Sequence, residues 1–504
     1  MTSRAPWAWR LLADASAVWL AAALSRGWVA WTPAFAWAAC AWSALWTRAG
    51  GRPWRESPTA FVFLTCLAFY LGTFRWHGGD DITNSLIPLA VLRHGTVALT
   101  PVIDPFLTGK FEGFTVPAGG QLLSLHPIAT GILALPFYVL PVVFHAPITE
   151  QFLHNLSKVS ASFITAASAA AFYRAAASRA SRPWALAVAF AYGLGSFAFS
   201  VSSQALWQHG TAQLGMALAL WGAADEETRG SLLTGFGLAL AIAAREDSVF
   251  LAAALGLWIL LDRPRRVPAV LLGAAPVLAL LLTYWVHYTG RFLPPATLKQ
   301  GELFGSLSPT ALAALLLSPT RGLLPFCPAV VFAAAAPFSG DERRRRLAAA
   351  LLLGCAATWI FFSCYIDWNG GESFGPRYLS TVSLVLLYLG AHLERPIRAR
   401  AGVLLAWAGA AALGVWIHAL GGFLTWPGIF DVLAANGQIW RWDLHPIANL
   451  LAARGPLGAL PVAVRAGLVA GCALAFGALA KASARSLSQA PAKAAPVAEP
   501  AALI

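Results

Sequence analysis

The residues whose types and spacing best suit chemistry are two adjacent carboxylates, Asp80 and Asp81. Only 11% of the chain is charged, and the pair follows an apolar stretch over 61–74, so we expect it at the mouth of a membrane helix. The next residues, 82–88, mix polar and apolar side chains and predict a short helix lying along the membrane interface. A carboxylate pair held at a bilayer surface is a candidate general base.

Other unusual polar residues fall on the same predicted side of the membrane. Short basic clusters between the apolar runs follow the positive-inside pattern, which places them in the cytoplasm. The clusters are 48–55, 174–182, 263–266, 343–346 and 395–400. If all are cytoplasmic, the spans between clusters come in even numbers, and most of the unusual polar residues gather on the outer face. These residues are Asp80, Asp81, His126, His209, Arg245, Arg321, Asp367, Glu372 and Arg377.

The elements that position these residues are predicted to be membrane helices. The chain has 504 residues, is 58% hydrophobic and has a mean hydropathy of +0.65, with apolar runs long enough to span hydrocarbon along nearly all of it. A barrel would show alternating short segments instead. We therefore expect an all-α polytopic membrane protein. Its net charge of +13 comes from the loop clusters, which argues against nucleic-acid binding.

Counting spans between the basic clusters predicts about fourteen transmembrane helices, in a range of roughly 12–14. A large first extracytoplasmic loop, about 75–153, carries juxtamembrane helices. Within it, prolines interrupt 128–144, so the uninterrupted run 154–173 is assigned as the span. The predicted divisions are N-terminal membrane helices over 1–56, a membrane core over 57–395, C-terminal membrane helices with an outer loop over 396–480, and a disordered cytoplasmic tail over 481–504.

Each charged candidate has a structural alternative. Asp81 is also well placed to cap a helix that begins at Ile82. An ordinary aspartate is a weak base at neutral pH unless burial or its partner raises the pKa. Arg377, Arg245 and Arg321 could bind an anionic group. As structural alternatives, Arg377 and Arg321 could snorkel to the interface, and Glu246 or Asp247 could neutralise Arg245. Arg377 is favoured as functional because it follows a Gly-Pro turn that allows close approach to a ligand.

The remaining candidates are open in the same way. His209, beside Trp207 at a predicted helix start, could bond a substrate hydroxyl or the base carboxylate, or could belong to an interfacial aromatic belt. His126 could orient a carboxylate, although His-Pro also suits the start of a helix. Trp368 could stack on a substrate ring or anchor in headgroups. Glu372 is a further candidate for substrate binding.

In their order and predicted topology, four motifs resemble the GT-C superfamily of integral-membrane glycosyltransferases. They are Gly79-Asp80-Asp81 with Asn84 and Pro88, then His126-Pro127, then Trp207-Gln208-His209, then Trp368-Asn369-Gly370-Gly371-Glu372-Ser373-Phe374-Gly375-Pro376-Arg377-Tyr378-Leu379. The resemblance covers roughly 57–395 and is to protein O-mannosyltransferases and to bacterial transferases that put aminoarabinose on lipid A. It implies a GT-C-type catalytic core in a bacterial inner membrane, with the site facing the periplasm or exterior.

The resemblance also implies a reaction. A sugar would pass with inversion from a polyprenyl-phosphate carrier to an acceptor hydroxyl on a lipid, glycan or protein, with Asp80 or Asp81 as the base. Several members use a divalent cation, Mg²⁺ or Mn²⁺, to hold the lipid phosphate. Asp80, Asp81 and His209, together with Glu372, offer ligand types for such an ion, but the sequence leaves the metal open and makes no cofactor certain.

The main alternative from another class is a lipid or glycolipid transporter or flippase without transferase chemistry. Such a protein would place its site near mid-bilayer on interrupted helices and would show an internal repeat. No convincing repeat is present, and the charged residues fall at predicted helix ends. A noncatalytic scaffold would give no reason for the outer polar cluster. The transferase is therefore the favoured hypothesis, with the sugar, the carrier length and the acceptor left open.

Overall fold

The computed structural model describes residues 6–73, 80–103, 112–298, 303–371, 373–423, 438–445 and 448. At Asp80 it describes the backbone only. The predicted last outer loop lies mostly outside these residues. The predicted last span over 462–480 and the tail over 481–504 lie wholly outside them. The predicted division of the chain at 56, 395 and 480 stays a prediction.

The described residues are mostly helical, as the composition predicts. In chain order the α-helices are α1 (Pro6–Arg26), α2 (Trp31–Arg48), α3 (Pro53–Glu56), α4 (Pro58–Leu71), α5 (Asp80–His94), α6 (Ala129–Val143), α7 (Glu150–Ala177), α8 (Arg182–Gly193), α9 (Gln208–Ala224), α10 (Thr228–Ala244), α11 (Val249–Asp262), α12 (Val267–Thr289), α13 (Pro309–Leu317), α14 (Leu323–Phe326), α15 (Glu342–Ser363), α16 (Ser380–His392), α17 (Glu394–Arg398) and α18 (Ala401–Phe423). A π-helical turn covers Ala198–Ser202, and 3₁₀ segments include Glu246–Ser248, Pro328–Phe338 and Arg377–Leu379.

The expected number of about fourteen spans is not confirmed. Within the described residues, three helices are long and apolar enough to cross a membrane: Pro264–Thr289, Glu342–Ser363 and Ala401–Phe423. Four shorter apolar helices lie over Pro58–Leu71, Ala129–Val143, Thr228–Ala244 and Pro328–Phe338. Spans predicted from hydropathy alone therefore correspond in several places to helices shorter than the ~30 Å of hydrocarbon.

The all-α prediction needs one correction, because the predicted outer loop contains a β-hairpin. Strands β1 (Thr115–Ala118) and β2 (Gln121–Ser124) pair antiparallel, with Thr115 opposite Ser124. Gly119 and Gly120 join them with φ angles of 55° and 75°. A two-residue turn with both φ angles positive matches the right-handed twist of the strands, and glycine adopts it without strain.

Helix α5 also differs from the expectation of a helix lying along the interface. Residues 81–90 are all buried, including the polar Thr83, Asn84 and Ser85. The helix packs against α6 and α7. Its polar residues bond inside the protein, so the mixed sequence reflects buried hydrogen bonds and not an amphipathic surface.

Helix α7 is the central element of the structure. Alanine and serine make up much of its sequence, and it is buried over most of its length against α4, α8 and α9. Small side chains let neighbouring helix backbones approach closely. Along α7, Ser157 faces the start of α5, and Ser178 follows its last residue.

Helices α9 and α10 form a close hairpin that positions the site. A Cβ at Gly215 would lie 2.5 Å from the backbone of Ala241, and one at Gly237 would lie 2.5 Å from the backbone of Ala219. Contacts this close need glycine at both positions. Because consecutive helices in a hairpin run in opposite directions, the first turn of α9 meets the last turn of α10, which brings His209 to Arg245.

Candidate active site

Asp81 lies in the first turn of α5 and is 1% exposed. The helix begins at Asp80, so Asp81 is not the N-cap that the sequence also allowed. Its Oδ2 accepts a hydrogen bond from Ser157 Oγ at 3.3 Å, and Ser157 Oγ accepts one from the backbone N–H of Leu206 at 2.8 Å. Asn84 Nδ2 donates to the carbonyl of Leu206 at 3.0 Å. The start of α5 is therefore tied to the loop that leads into α9.

A buried lysine holds the same loop from the other side. Lys158 is 1% exposed, and its Nζ donates to the carbonyl of Ser203 at 2.9 Å, to Gln204 Oε1 at 3.1 Å and to Thr73 Oγ1 at 3.3 Å. A buried charge is tolerated when several hydrogen bonds satisfy it. The sequence analysis did not single out Lys158, because one lysine in an Ala- and Ser-rich run carries no spacing signal.

His209 and Arg245 form the centre of the site. His209 is 2% exposed and Arg245 is 7% exposed. Nη1 of Arg245 contacts His209 Nδ1, and Ser380 Oγ lies 3.1 Å from the same nitrogen. Because a guanidinium only donates, the nitrogen that receives it is the unprotonated one, and the imidazole is neutral. Arg245 Nε donates to Asp247 Oδ1 at 2.8 Å, which orients the guanidinium.

Aromatic rings support two guanidinium groups next to this histidine. Tyr378 stacks on Phe362 with centroids 4.6 Å apart and planes within 2°. The Tyr378 centroid lies 5.4 Å from Cζ of Arg377 and 5.8 Å from Cζ of Arg245. Arg377 also lies 5.6 Å from the centroid of Trp207. Cation–π contacts of this kind stabilise guanidinium groups that lie near one another, and Arg245 is also ion-paired with Asp247.

The turn before Arg377 depends on left-handed backbone at three glycines. Gly370, Gly371 and Gly375 have φ angles of 77°, 56° and 76°. A Cβ at Gly375 would lie 2.8 Å from Phe326 and 2.9 Å from Phe197. The sequence signal for this turn was therefore sound, since other residues would be strained at these positions.

Arg321 is bound to that turn. It is 0% exposed, and its guanidinium donates to the carbonyls of Ser373, Gly371 and Gly375, with Nη2 at 2.8 Å from the Gly371 oxygen. Burial, together with the smaller effect of the Arg377 charge, lowers the pKa of Arg321 to about 9. The residue remains a cation at neutral pH. Its donors go to backbone in this arrangement, which points to a positioning role.

Replacing Arg321 by Gln is expected to lower the free energy of unfolding by about 3 kcal/mol, because buried carbonyls lose their donor. Thermal unfolding in detergent measures this change. Arg291→Gln, at an exposed arginine, is the matched control. An Arg321→Gln variant as stable as the control would show that the turn holds its conformation without this guanidinium.

The β-hairpin positions His126 near the site. Ser124 Oγ accepts a hydrogen bond from the His126 backbone N–H at 3.1 Å and donates to Thr83 Oγ1 at 3.0 Å, which fastens the end of β2 to α5. His126 and Arg377 both lie near enough to His209 to act on it electrostatically. The hairpin thus brings His126 towards the start of α9.

The remaining predicted site residues lie outside this cluster or outside the described residues. Trp368 is half-buried and packs against the hydrophobic core. Glu372 lies outside the described residues, and so does the side chain of Asp80. The structure thus brings His209, Arg245 and Arg377 into one cluster, with His126 near it.

Glu246, which the sequence analysis did not propose as a site residue, follows Arg245 in the turn between α10 and α11. Burial, with a smaller contribution from the Asp247 charge and partly offset by a backbone hydrogen bond and by Arg245, raises the pKa of Glu246 to about 7. A carboxyl group that titrates near neutral pH can act as a base or an acid, so Glu246 is a second candidate for proton transfer.

Stability is expected to fall as pH rises through the titration of Glu246. The folded pKa of about 7 exceeds the ordinary value of 4.5, so between these pH values the folded protein binds more protons than the unfolded chain. The free energy of unfolding decreases across this window and stays lower above it. Glu246→Gln should raise stability at pH 8 by about 2 kcal/mol, after allowance for partial exposure, and should leave it unchanged near pH 4.

Thermal unfolding at both pH values checks this expectation. Glu56→Gln, at an exposed glutamate, serves as the control. If both variants respond to pH as the wild type does, Glu246 does not titrate near neutrality.

Of the possible ligands of a divalent cation, the side chains of Asp80 and Glu372 lie outside the described residues. Within them, no group of three or more His, Cys, Asp and Glu side chains is close enough to hold one. His209 Nδ1 already contacts Arg245, and two guanidinium groups lie beside it. His209 is therefore poorly suited to be a ligand in this arrangement.

Comparison with known proteins gives a weak structural likeness. No protein-family model matches the chain, and no curated protein matches it. Among solved structures, it is similar to the archaeal oligosaccharyltransferase AglB from Archaeoglobus fulgidus in complex with an inhibitory peptide and a dolichol-phosphate, with a TM-score of 0.43 and 11% identity over 74% of this chain and 57% of that one.

The Archaeoglobus fulgidus oligosaccharyltransferase tethered to an acceptor peptide is similar at a TM-score of 0.42 and 11% identity, over 74% of this chain and 56% of that one. Its apo form is similar at 0.41 and 13%, over 74% and 57%. The matched region thus spans a little over half the length of these enzymes.

Proposed function

We propose that the chain is a membrane glycosyltransferase that moves a sugar from a polyprenyl-phosphate carrier to an acceptor hydroxyl on the extracytoplasmic face of a bacterial inner membrane. The observation that carries the proposal is the pair of guanidinium groups, Arg245 and Arg377, on the Tyr378 ring beside neutral His209. Two fixed cations next to a neutral imidazole suit a phosphate that gains negative charge during the reaction.

The charge change of the donor explains why two cations are useful. A sugar linked to a polyprenyl phosphate is a phosphodiester with one negative charge. When the bond between the anomeric carbon and the phosphate oxygen breaks, the electron pair stays on that oxygen and the product is a phosphomonoester that can carry two charges. Arg377 and Arg245 would stabilise the additional charge, and Asp247 would keep the Arg245 guanidinium oriented.

The acceptor completes the reaction. Its hydroxyl oxygen attacks the anomeric carbon from the face opposite the phosphate, which inverts the configuration, and a carboxylate takes the hydroxyl proton. Asp81 is 1% exposed and accepts from Ser157, so we assign it to holding the start of α5. Asp80 is then the carboxylate of the pair that we propose as the base.

His209 would contribute through its neutral ring. With Nδ1 accepting from Arg245, the ring proton is assigned to Nε2, which also lies 3.3 Å from Arg245 Nη1. That N–H would donate to a sugar hydroxyl or a phosphate oxygen. His126 is placed to act on the same region from the hairpin side. Trp368 and Glu372 remain proposed contacts to the sugar.

A transporter without transferase chemistry is the alternative. Helix α7 is unbroken over Glu150–Ala177, and Arg245 and His209 lie at helix ends. A transporter site would instead use interrupted helices near the middle of the bilayer. The described geometry favours an enzyme with its site at one end of the helices.

Transfer of radiolabelled sugar by the purified protein in detergent tests the proposal. A panel of polyprenyl-phosphate sugars would be offered with lipid, glycan and peptide acceptors. We expect label to move from one donor to one acceptor class. If no donor is consumed, while protein in vesicles moves the lipid across the bilayer, the transporter hypothesis replaces the transferase.

A further inference from the structure

A basic cavity of about 560 Å³ lies at the end of the helices opposite the candidate site. Helix α16 connects the two regions, because Ser380 at its start contacts His209 and His392 at its end lines the cavity. Along α16 the rise from Ser380 to His392 is about 18 Å. Helix α7 gives a longer distance, measured from the start of α5, since Ser157 contacts Asp81 and Ser178 lines the cavity. These two serines are about 31 Å apart along the helix axis, close to the thickness of the hydrocarbon core.

His392 points to a missing ligand in this cavity. It is 7% exposed, yet neither ring nitrogen has a hydrogen-bond partner within the part of the chain that the structure describes. Buried polar groups are almost always bonded, and leaving one unpaired is costly. A ligand with hydrogen-bond acceptors in the cavity would satisfy the ring N–H.

The positively charged side chains around His392 indicate that the ligand of this cavity is an anion. Arg179 and Arg395 line the cavity and make no ion pair with any described residue, and Nε of Arg179 also lacks a hydrogen-bond partner there. Arg344 is bound to Asp341, with 3.3 Å between Nε and Oδ2.

The other carboxylate that lines the cavity, Glu394, already accepts hydrogen bonds from within the protein. Glu394 accepts from the backbone N–H of Ser181 at 2.7 Å and from Arg398. Two cations and an imidazole are therefore available to a ligand, and this donor set is that of a phosphate site.

We propose that this cavity binds the phosphate of an anionic phospholipid headgroup. The phosphate would accept from Arg179, Arg395 and His392. A lipid is favoured over free phosphate because the cavity lies about one bilayer thickness from the start of α5 and is lined by helix ends and their adjoining loops. Basic pockets between membrane helices on the cytoplasmic side bind anionic headgroups in this way.

A neighbouring cavity supports the assignment to lipid. It has a volume of about 670 Å³, shares Ser178 with the first, and is lined by Arg55, Arg174 and Arg182. Arg174 also lies 5.1 Å from the centroid of Trp221, which lines the same cavity. Two adjacent basic cavities, one with an aromatic wall, suit amphiphilic ligands better than a small inorganic ion.

Native mass spectrometry of the detergent-purified protein tests the proposal. Short-chain phosphatidylglycerol and phosphatidylcholine would be titrated separately against wild type, the Arg179→Gln/Arg395→Gln variant and the Arg345→Gln/Arg400→Gln control, whose two arginines are exposed on the same side outside the cavity. We expect wild type and control to bind phosphatidylglycerol about tenfold more tightly than the cavity variant does. Phosphatidylcholine should bind weakly to all three.

The results distinguish a phospholipid headgroup from inorganic phosphate as the ligand. Equal binding of phosphatidylglycerol by the cavity variant and the control would overturn the proposal. Inorganic phosphate that displaces the lipid at equal concentration would overturn the assignment to a lipid. Arg395→Glu alone changes an exposed side chain that should not affect folding, and it should weaken lipid binding in the same direction. No sugar donor is present, so the outcome is independent of the transfer reaction.

Discussion

Asp80→Asn is expected to lower the rate of sugar transfer by about 10³-fold while leaving the protein folded and able to bind its lipid donor. An asparagine has nearly the same shape as aspartate but cannot take the acceptor proton, and general-base catalysis is typically worth about 10²- to 10⁴-fold. Single-turnover transfer from the donor identified in the panel measures the chemical step. Equilibrium binding of the same donor separates that step from binding.

The neighbouring aspartate provides an internal comparison. Asp81→Asn should lower the thermal unfolding temperature, because Oδ2 of Asp81 accepts from Ser157 inside the protein. Measured on the protein that remains folded, Asp81→Asn should lower the rate of sugar transfer less than Asp80→Asn does. Asp367→Asn changes an exposed aspartate and is the matched control for both. If Asp81→Asn abolishes transfer without loss of stability and Asp80→Asn does not, the two roles are exchanged.

Much of this arrangement could be predicted from the sequence. Charged residues at the ends of apolar runs predicted that His209, Arg245 and Arg377 share one end of the helices, and the close glycine contacts of the α9–α10 hairpin explain why the first two touch. The Gly-Pro turn before Arg377 correctly signalled unusual backbone. These features depend on local sequence patterns, so they can be predicted from a single sequence.

Other features depend on contacts between distant residues. Arg321 resembled any arginine that flanks a span, and its bonds to the turn around Ser373 bridge some fifty positions in the sequence. No acidic residue stands three or four positions from Lys158 in the sequence to mark it as part of a buried pair. Their roles follow from which backbone carbonyls face them, and no periodicity encodes that.

Two errors have different physical causes. The hairpin was overlooked although Gly119-Gly120 between two short runs is a recognised turn signal. Its strands are only four residues each, too short for clear alternation. Helix α5 was expected at the interface because polar and apolar residues alternate without a clear face. In the structure its polar groups bond to Ser124 and Leu206, so partners from elsewhere in the chain decided its burial.

Arg377→Gln is expected to lower kcat of transfer by about 10²-fold with a smaller change in KM for the donor. The phosphate gains its second charge only as the bond to the sugar breaks, so a cation that meets this charge acts mainly on the transition state. Arg377→Lys should recover part of the rate, because lysine keeps the charge but loses the planar guanidinium that packs on Trp207 and Tyr378. Steady-state kinetics at fixed acceptor measure both parameters.

Two comparisons show whether the charge or the packing matters. Arg291→Gln removes an exposed arginine and should leave kcat unchanged. Trp207→Phe keeps an aromatic face for Arg377 and should cost much less than the loss of the guanidinium. If Arg377→Gln and Arg377→Lys are equally slow and both unfold at a lower temperature, Arg377 supports the fold and not the leaving phosphate. A loss confined to KM would place the residue in donor binding alone, because binding that is equal in the ground and transition states leaves kcat unchanged.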